Sequence, residues 1–146
     1  MKYPIIGMLL IVLTASFAVA QTDTTQTTPP TGTPPAAAPA SDAVKRAVVC
    51  SAVAEREPAD TLTTVPATTE KVCFFTEIIG MEGKTITHRW VRDGQTAADV
   101  PISVGGSRWR CYSTKTVAGM AGAWTVQVLD DAGNTIGEAS FTVSAQ

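Results

Sequence analysis

Histidine is almost missing from this chain: His88 is the single one in 146 residues. Aromatic residues are scarce at 6%, charged residues at 16%, and the only thiols are Cys50, Cys73 and Cys111. Each scarcity removes a class of chemistry. One histidine and three cysteines, with no Cys-x-x-Cys or His-x-x-x-His knuckle, do not have zinc-site spacing, and neither a metal nor another cofactor is expected. No Gly-x-Ser-x-Gly elbow accompanies His88. Gly105-Gly106-Ser107 lacks the following helix and lysine that give a phosphate loop its grip. Beyond Ala20 no helical period is sustained, and no internal repeat suggests a propeller or solenoid. Excess positive charge is lacking too. Without residues 1–20 the chain has 10 basic and 13 acidic residues, a formal charge of −3. That balance argues against a nucleic-acid partner, and against holding anionic lipid by bulk charge.

The N-terminus has what the rest lacks, an uninterrupted apolar run. Residues 3–20 are uncharged, Ile5–Leu13 is apolar, and Ala18-Val19-Ala20 supplies a small-residue end. This pattern predicts a signal peptide over 1–20, cleaved before Gln21, and a periplasmic or extracellular protein. The alternative is an uncleaved membrane anchor, at the lower edge of the roughly 20 residues that span a bilayer. Residues 21–43 hold five of the nine prolines and seven threonines. Such a segment buries too little apolar area to offset its ordering entropy and reads as a disordered linker. Residues 44–146 have the length of one domain.

Within that domain, short runs rich in β-branched and aromatic residues alternate with turn signals every 8–12 residues. Strands are predicted over 45–53, 70–79, 85–91, 95–104, 108–115, 124–128 and 136–143. Asp93-Gly94 is a hairpin signal. The pattern predicts an all-β fold, an antiparallel immunoglobulin-like β-sandwich of about seven strands, with a barrel as the other closure. Side chains alternate across a strand, so Ile86, His88 and Trp90 share one face, taken as inward, and Trp109 and Trp124 join them. His88 is then expected in the core, bonded to backbone or to Glu77.

Parity puts Arg89, Arg108, Arg110 and Tyr112 on outward positions of two strands expected to be partners, 85–91 and 107–113. As neighbours they would form a basic and aromatic patch able to hold an anionic glycan or an acidic protein loop. Against this stands simple pairing of the arginines with Glu77, Asp99 or Glu138. An enzyme using His88 with a carboxylate such as Glu57 is the second reading, and a structural domain docking on another protein the third.

Arg46-Ala47-Val48, Arg56-Glu57-Pro58, Phe75-Thr76-Glu77, His88-Arg89-Trp90, Ser107-Arg108-Trp109-Arg110 with Ser113, and Gly122-Ala123-Trp124 occur in that order. Together they make the chain resemble the DUF2914 family, a bacterial domain of unknown function, over residues 44–143. The resemblance implies a bacterial source and a compact domain of exported or membrane-attached proteins. It carries no activity or catalytic residue. Cys73 and Cys111 stand where the family pattern has an aromatic and a small polar residue, which makes a Cys73–Cys111 disulfide an expectation to test. The working function is an exported, non-catalytic module that binds or scaffolds a cell-envelope glycan or protein.

Overall fold

The computed structural model describes residues 41–145. The predicted signal peptide and nearly all of the predicted linker lie outside these residues. The linker's last residues, Ser41–Ala43, are already attached to the folded body. The Ser41 N–H donates to the Ile136 carbonyl, and the Ala43 carbonyl accepts from the Ile79 N–H.

The described residues form ten strands and no helix: β1 (Val44–Cys50), β2 (Val53–Ala54), β3 (Glu57–Pro58), β4 (Thr64–Pro66), β5 (Lys71–Ile79), β6 (Thr85–Arg92), β7 (Gln95–Ser103), β8 (Arg108–Thr116), β9 (Gly122–Leu129) and β10 (Thr135–Ser144). Seven are long, as the turn spacing predicts. They make a three-stranded sheet, β1-β5-β8, and a five-stranded sheet, β4-β10-β9-β6-β7, with β2-β3 as a separate ribbon. Two separate sheets packed on one core make a sandwich and not a barrel. The first described strand, β1, lies in the small sheet, and the chain then crosses to the large one, where β4 runs parallel to β10 while the other ladders are antiparallel. This arrangement is immunoglobulin-like.

Alternation explains which faces meet. Ile86, His88 and Trp90 on β6 are fully buried, as are Val126 and Val128 on the neighbouring β9. From the small sheet, Val72, Phe74 and Ile78 face them. The rings interlock: Phe74 meets Trp90 edge-on at 6.2 Å, Trp90 meets Phe141 at 6.4 Å, and Trp124 stacks on Phe141 at 5.9 Å. Trp109 differs from its two counterparts. It sits half-buried at the rim, its ring lying over Gly105, where a Cβ would approach within 2.9 Å.

The β6–β7 hairpin closes as its sequence dictates. Asp93 and Gly94 take φ values of 48° and 81°, both positive as a two-residue type I′ turn requires. The Asp93 carboxylate then accepts the Ala123 N–H at 3.0 Å. β7 forms the edge of the large sheet, where Pro101 has no ladder bond to lose.

One expected pairing is replaced. β6 and β8 are not neighbours in a sheet: β6 is flanked by β7 and β9, and β8 lies beside β5. The two strands confront each other across the core. The consequence for the arginines is direct, since outward positions on β6 and β8 point to opposite sides of the molecule.

Candidate functional site

His88 anchors a polar seam through the core. Its Nε2 lies 3.0 Å from Thr76 Oγ1, and its Nδ1 lies 2.9 Å from Ser113 Oγ. The Trp90 Nε1–H donates to the same Ser113 oxygen at 3.2 Å, and Thr76 Oγ1 lies 3.2 Å from Cys111 Sγ. One assignment satisfies every strong donor. Trp90 donates to Ser113, Ser113 to His88 Nδ1, His88 Nε2–H to Thr76, and Thr76 to Cys111, leaving only a weak thiol donor idle. The partners are thus two hydroxyls from the facing sheet, in place of the expected backbone or Glu77. With no exposed surface, the imidazole is held down to about 4 by burial. Phe74 closes one side at 4.8 Å, edge to face. The ring does not meet solvent and is separated from Glu57, which lies beyond the small sheet. The geometry does not assemble the His88–Glu57 pair.

The outer face of the small sheet carries a different assembly. β1, β5 and β8 place Arg46, Glu77 and Arg110 in one row, as the pairs Arg46↔Glu77 and Glu77↔Arg110 show. Glu77 is the pivot, its side chain only 4% exposed. It accepts from Arg108 Nε at 2.6 Å and faces Arg110 Nε at 3.5 Å. Glu57 supplies the second carboxylate, taking Arg46 Nη1 and Arg110 Nη1, each at 2.6 Å. Its carboxyl is held below the usual range, chiefly by the Arg46 hydrogen bond. Arg46 also lies over the Phe75 ring at 5.2 Å. Arg56 has no acidic partner among the described residues.

Glu57 and Arg56 reach this face through the β2–β3 ribbon. Ala54 pairs with Glu57, so Glu55 and Arg56 form a two-residue turn, with φ values of 50° and 63°. Neither is a residue that tolerates positive φ easily, so the hairpin tip is strained. The ribbon is tied back at its root, where the Ser51 N–H donates to Asp60 Oδ1 at 2.7 Å and the Ala59 N–H to the Ala52 carbonyl. Between ribbon and sheet lie two clefts. One, of about 540 Å³, is lined by Val53, Arg56, Phe75, Arg110 and Tyr112 among others. The second, of about 580 Å³, is lined by Arg56, Gly106, Arg108, Trp109 and Arg110. Arg56 and Arg110 belong to both. Tyr112, 54% exposed, is the one large apolar side chain left open to solvent among the described residues.

The four residues singled out by strand parity are therefore divided. Arg108, Arg110 and Tyr112 lie on this face. Arg89 is on the outside of the other sheet, engaged by Asp99 at 2.8 and 2.9 Å. Trp90 and Trp124 are core, and Trp109 borders the second cleft. Residues that sequence reasoning did not assign to the face are Arg46, Arg56 and Phe75. The available signal was parity along β1 and β5, which puts Arg46, Phe75 and Glu77 on one side once those strands are paired. The ribbon gave no signal, because Glu-Arg is not a recognised turn pair.

The cysteines also depart from expectation. All three are free thiols. Cys111 is opposite Thr76 and points inward, whereas Cys73 is opposite Thr114 and points outward. Side chains on opposite faces of a sheet cannot join, which rules out a Cys73–Cys111 disulfide. Cys73 is instead the direct cross-strand partner of Cys50. Burial, then the neighbouring Cys73, push the Cys50 thiol up to about 11, and burial raises Cys73 and Cys111 as well. No cluster of metal-ligating side chains occurs among the described residues, nor any helix long and apolar enough to cross a membrane.

A family model described as a protein of unknown function, DUF2914, matches residues 83–143. The match is narrower than residues 44–143 and covers β6 to β9 with most of β10. It includes Arg108, Arg110 and Tyr112, while Arg46, Arg56, Glu57 and Glu77 precede it. No curated protein matches the chain.

Proposed function

We propose that this DUF2914 protein is an exported, non-catalytic β-sandwich module that binds an anionic component of the cell envelope on the outer face of its three-stranded sheet. The observation that carries the reading is the imbalance on that face. Four guanidiniums, Arg46, Arg56, Arg108 and Arg110, stand against three carboxylates, the paired Glu57 and Glu77 and, at the cleft lip, Glu55. In a domain that is acidic as a whole, a local cationic excess attracts an acidic partner without making the surface sticky to polyanions in general. The internal pairs hold Arg108 and Arg110 in fixed poses, so little side-chain entropy remains to be lost on binding. Strain at Glu55 and Arg56 is consistent with a hairpin tip kept for its position over the clefts. Export is supported by the apolar N-terminal run with its Ala-x-Ala end.

Cosedimentation of the purified protein with cell-envelope fractions tests this. The expected result is pelleting at low ionic strength, release by salt, and failure of an Arg56→Gln/Arg108→Gln variant to pellet while its circular dichroism is unchanged. A wild-type protein that stays in the supernatant with every fraction, or a variant that pellets equally well, overturns the proposal.

A further inference from the structure

From the shape of the face we infer that the ligand is an acidic saccharide, held by its carboxylate on Arg56 and Arg110 and by a sugar ring on Tyr112. This rests on the binding reading above. The two clefts meet at Arg56 and Arg110 and differ in character. One side is cationic, with Arg108 added. The other is an apolar floor of Val53 and Phe75 beside the exposed Tyr112 ring. A ligand that fills both needs a planar anion next to a flat, partly apolar ring. Arg56, which has no acidic partner among the described residues, can take a carboxylate in two-point geometry, and Arg110 adds the N–H groups that Glu57 and Glu77 leave open. Tyrosine offers a rigid, amphipathic surface at low entropic cost. Glu55, exposed at the lip of the same cleft, can accept from ring hydroxyls. A peptide of acidic residues alone would engage the arginines and leave Tyr112 unused.

Calorimetric titration with trigalacturonate, its methyl ester and hexaglutamate separates these. The inference expects trigalacturonate to bind, the ester to lose at least about tenfold, and Tyr112→Ala and Arg56→Gln each to weaken binding by about tenfold. Hexaglutamate binding as tightly as trigalacturonate, or indifference to Tyr112→Ala, overturns the saccharide assignment. If envelope pelleting persists while trigalacturonate does not bind, the saccharide falls and the binding reading stands. If neither occurs, both fall.

A separate observation concerns the thiols beneath the ribbon. We infer that Cys50 and Cys73 form a disulfide in the exported protein. They are opposed residues on antiparallel neighbours, β1 and β5, and share one face. Opposed residues in such ladders have Cα atoms about 4.5–5.5 Å apart, within the range that a disulfide spans. The two thiols together give up two electrons and two protons. A protein disulfide of the export compartment accepts them by exchange and leaves as a dithiol. Both thiols are buried in the folded chain and have few thiolates at neutral pH, so exchange belongs to the stage before the ribbon closes.

Trypsin places the three cysteines in separate peptides, 47–56, 72–84 and 111–115. Non-reducing mass spectrometry of protein recovered from the oxidising compartment should show 47–56 linked to 72–84, with 111–115 free to alkylate. Three alkylatable thiols, or a link that includes 111–115, overturns the assignment. As a second measure, Cys50→Ser should lower the melting temperature relative to the oxidised protein only, and match the reduced one.

Discussion

At the scale of single residues, His88 and Trp90 show how one face of a strand can be both core and polar. Trp90 is fully buried among Phe74, Phe141 and His88's seam. Truncation to alanine removes an aromatic side chain and leaves a cavity, so Trp90→Ala should cost about 3–5 kcal/mol in denaturant unfolding. His88 brings a pH dependence whose sign is fixed. Its folded value of about 4 lies below the ordinary 6.5, so between these the unfolded chain binds more protons. Stability is then full above pH 6.5 and falls as the pH drops toward 4, by about 3 kcal/mol in all. Urea unfolding at several pH values should show this slope, and His88→Gln should flatten it. Ser113→Ala tests the seam differently. It strands the Trp90 N–H and His88 Nδ1 together and should destabilise by about 1–3 kcal/mol for each group left without a partner.

Elements show where the sequence could be read and where it could not. β6 was legible because Ile86, His88 and Trp90 alternate with polar residues, and Asp93-Gly94 is a pair whose backbone freedom suits a I′ turn. Which strands face each other was not legible. Parity says that a side chain points inward, but not toward which strand, so β6 and β8 could be taken for neighbours when they are opposed. The Cys73–Cys111 pair rested on the family resemblance, which says nothing of register; the register of β5 on β8 puts the two side chains on opposite faces. The β2–β3 ribbon was illegible for another reason. Glu55 and Arg56 adopt a turn that propensity disfavours, and only tertiary ties at Ser51, Asp60 and Glu57 hold it. Replacing Arg56 by glycine should relieve that conflict, raising stability by about 1 kcal/mol in thermal unfolding while abolishing envelope pelleting. Stability and binding moving in opposite directions would identify the tip as a retained strain.

For the whole molecule, a modest core is divided between two unequal sheets, and the small sheet is covered on both sides. That explains why β5 is buried at every position from Val72 to Ile78 although its residues alternate in direction. Glu77 is the charged exception, and its surroundings make it structural as well as electrostatic. Glu77→Gln should exchange the carboxylate that Arg108 and Arg110 share for a neutral amide, whose one oxygen can serve only one of them while its NH2 opposes the other, and lower stability by about 1–3 kcal/mol. Binding to anionic envelope should tighten at low salt in the same variant, if it stays folded, because one opposing charge is gone.

The seam and the arginine lattice are written on alternate letters of the same two strands: Thr76 beside Glu77 on β5, and Arg110, Cys111, Tyr112 and Ser113 in turn on β8. Two messages interleaved at a spacing of one share a reading frame. Losing or gaining a single residue within β5 or β8 would exchange them, sending guanidiniums into the core and the seam's hydroxyls to the surface. Length changes should therefore be barred from 71–79 and 108–116, while the exposed turn at 131–134 can absorb them.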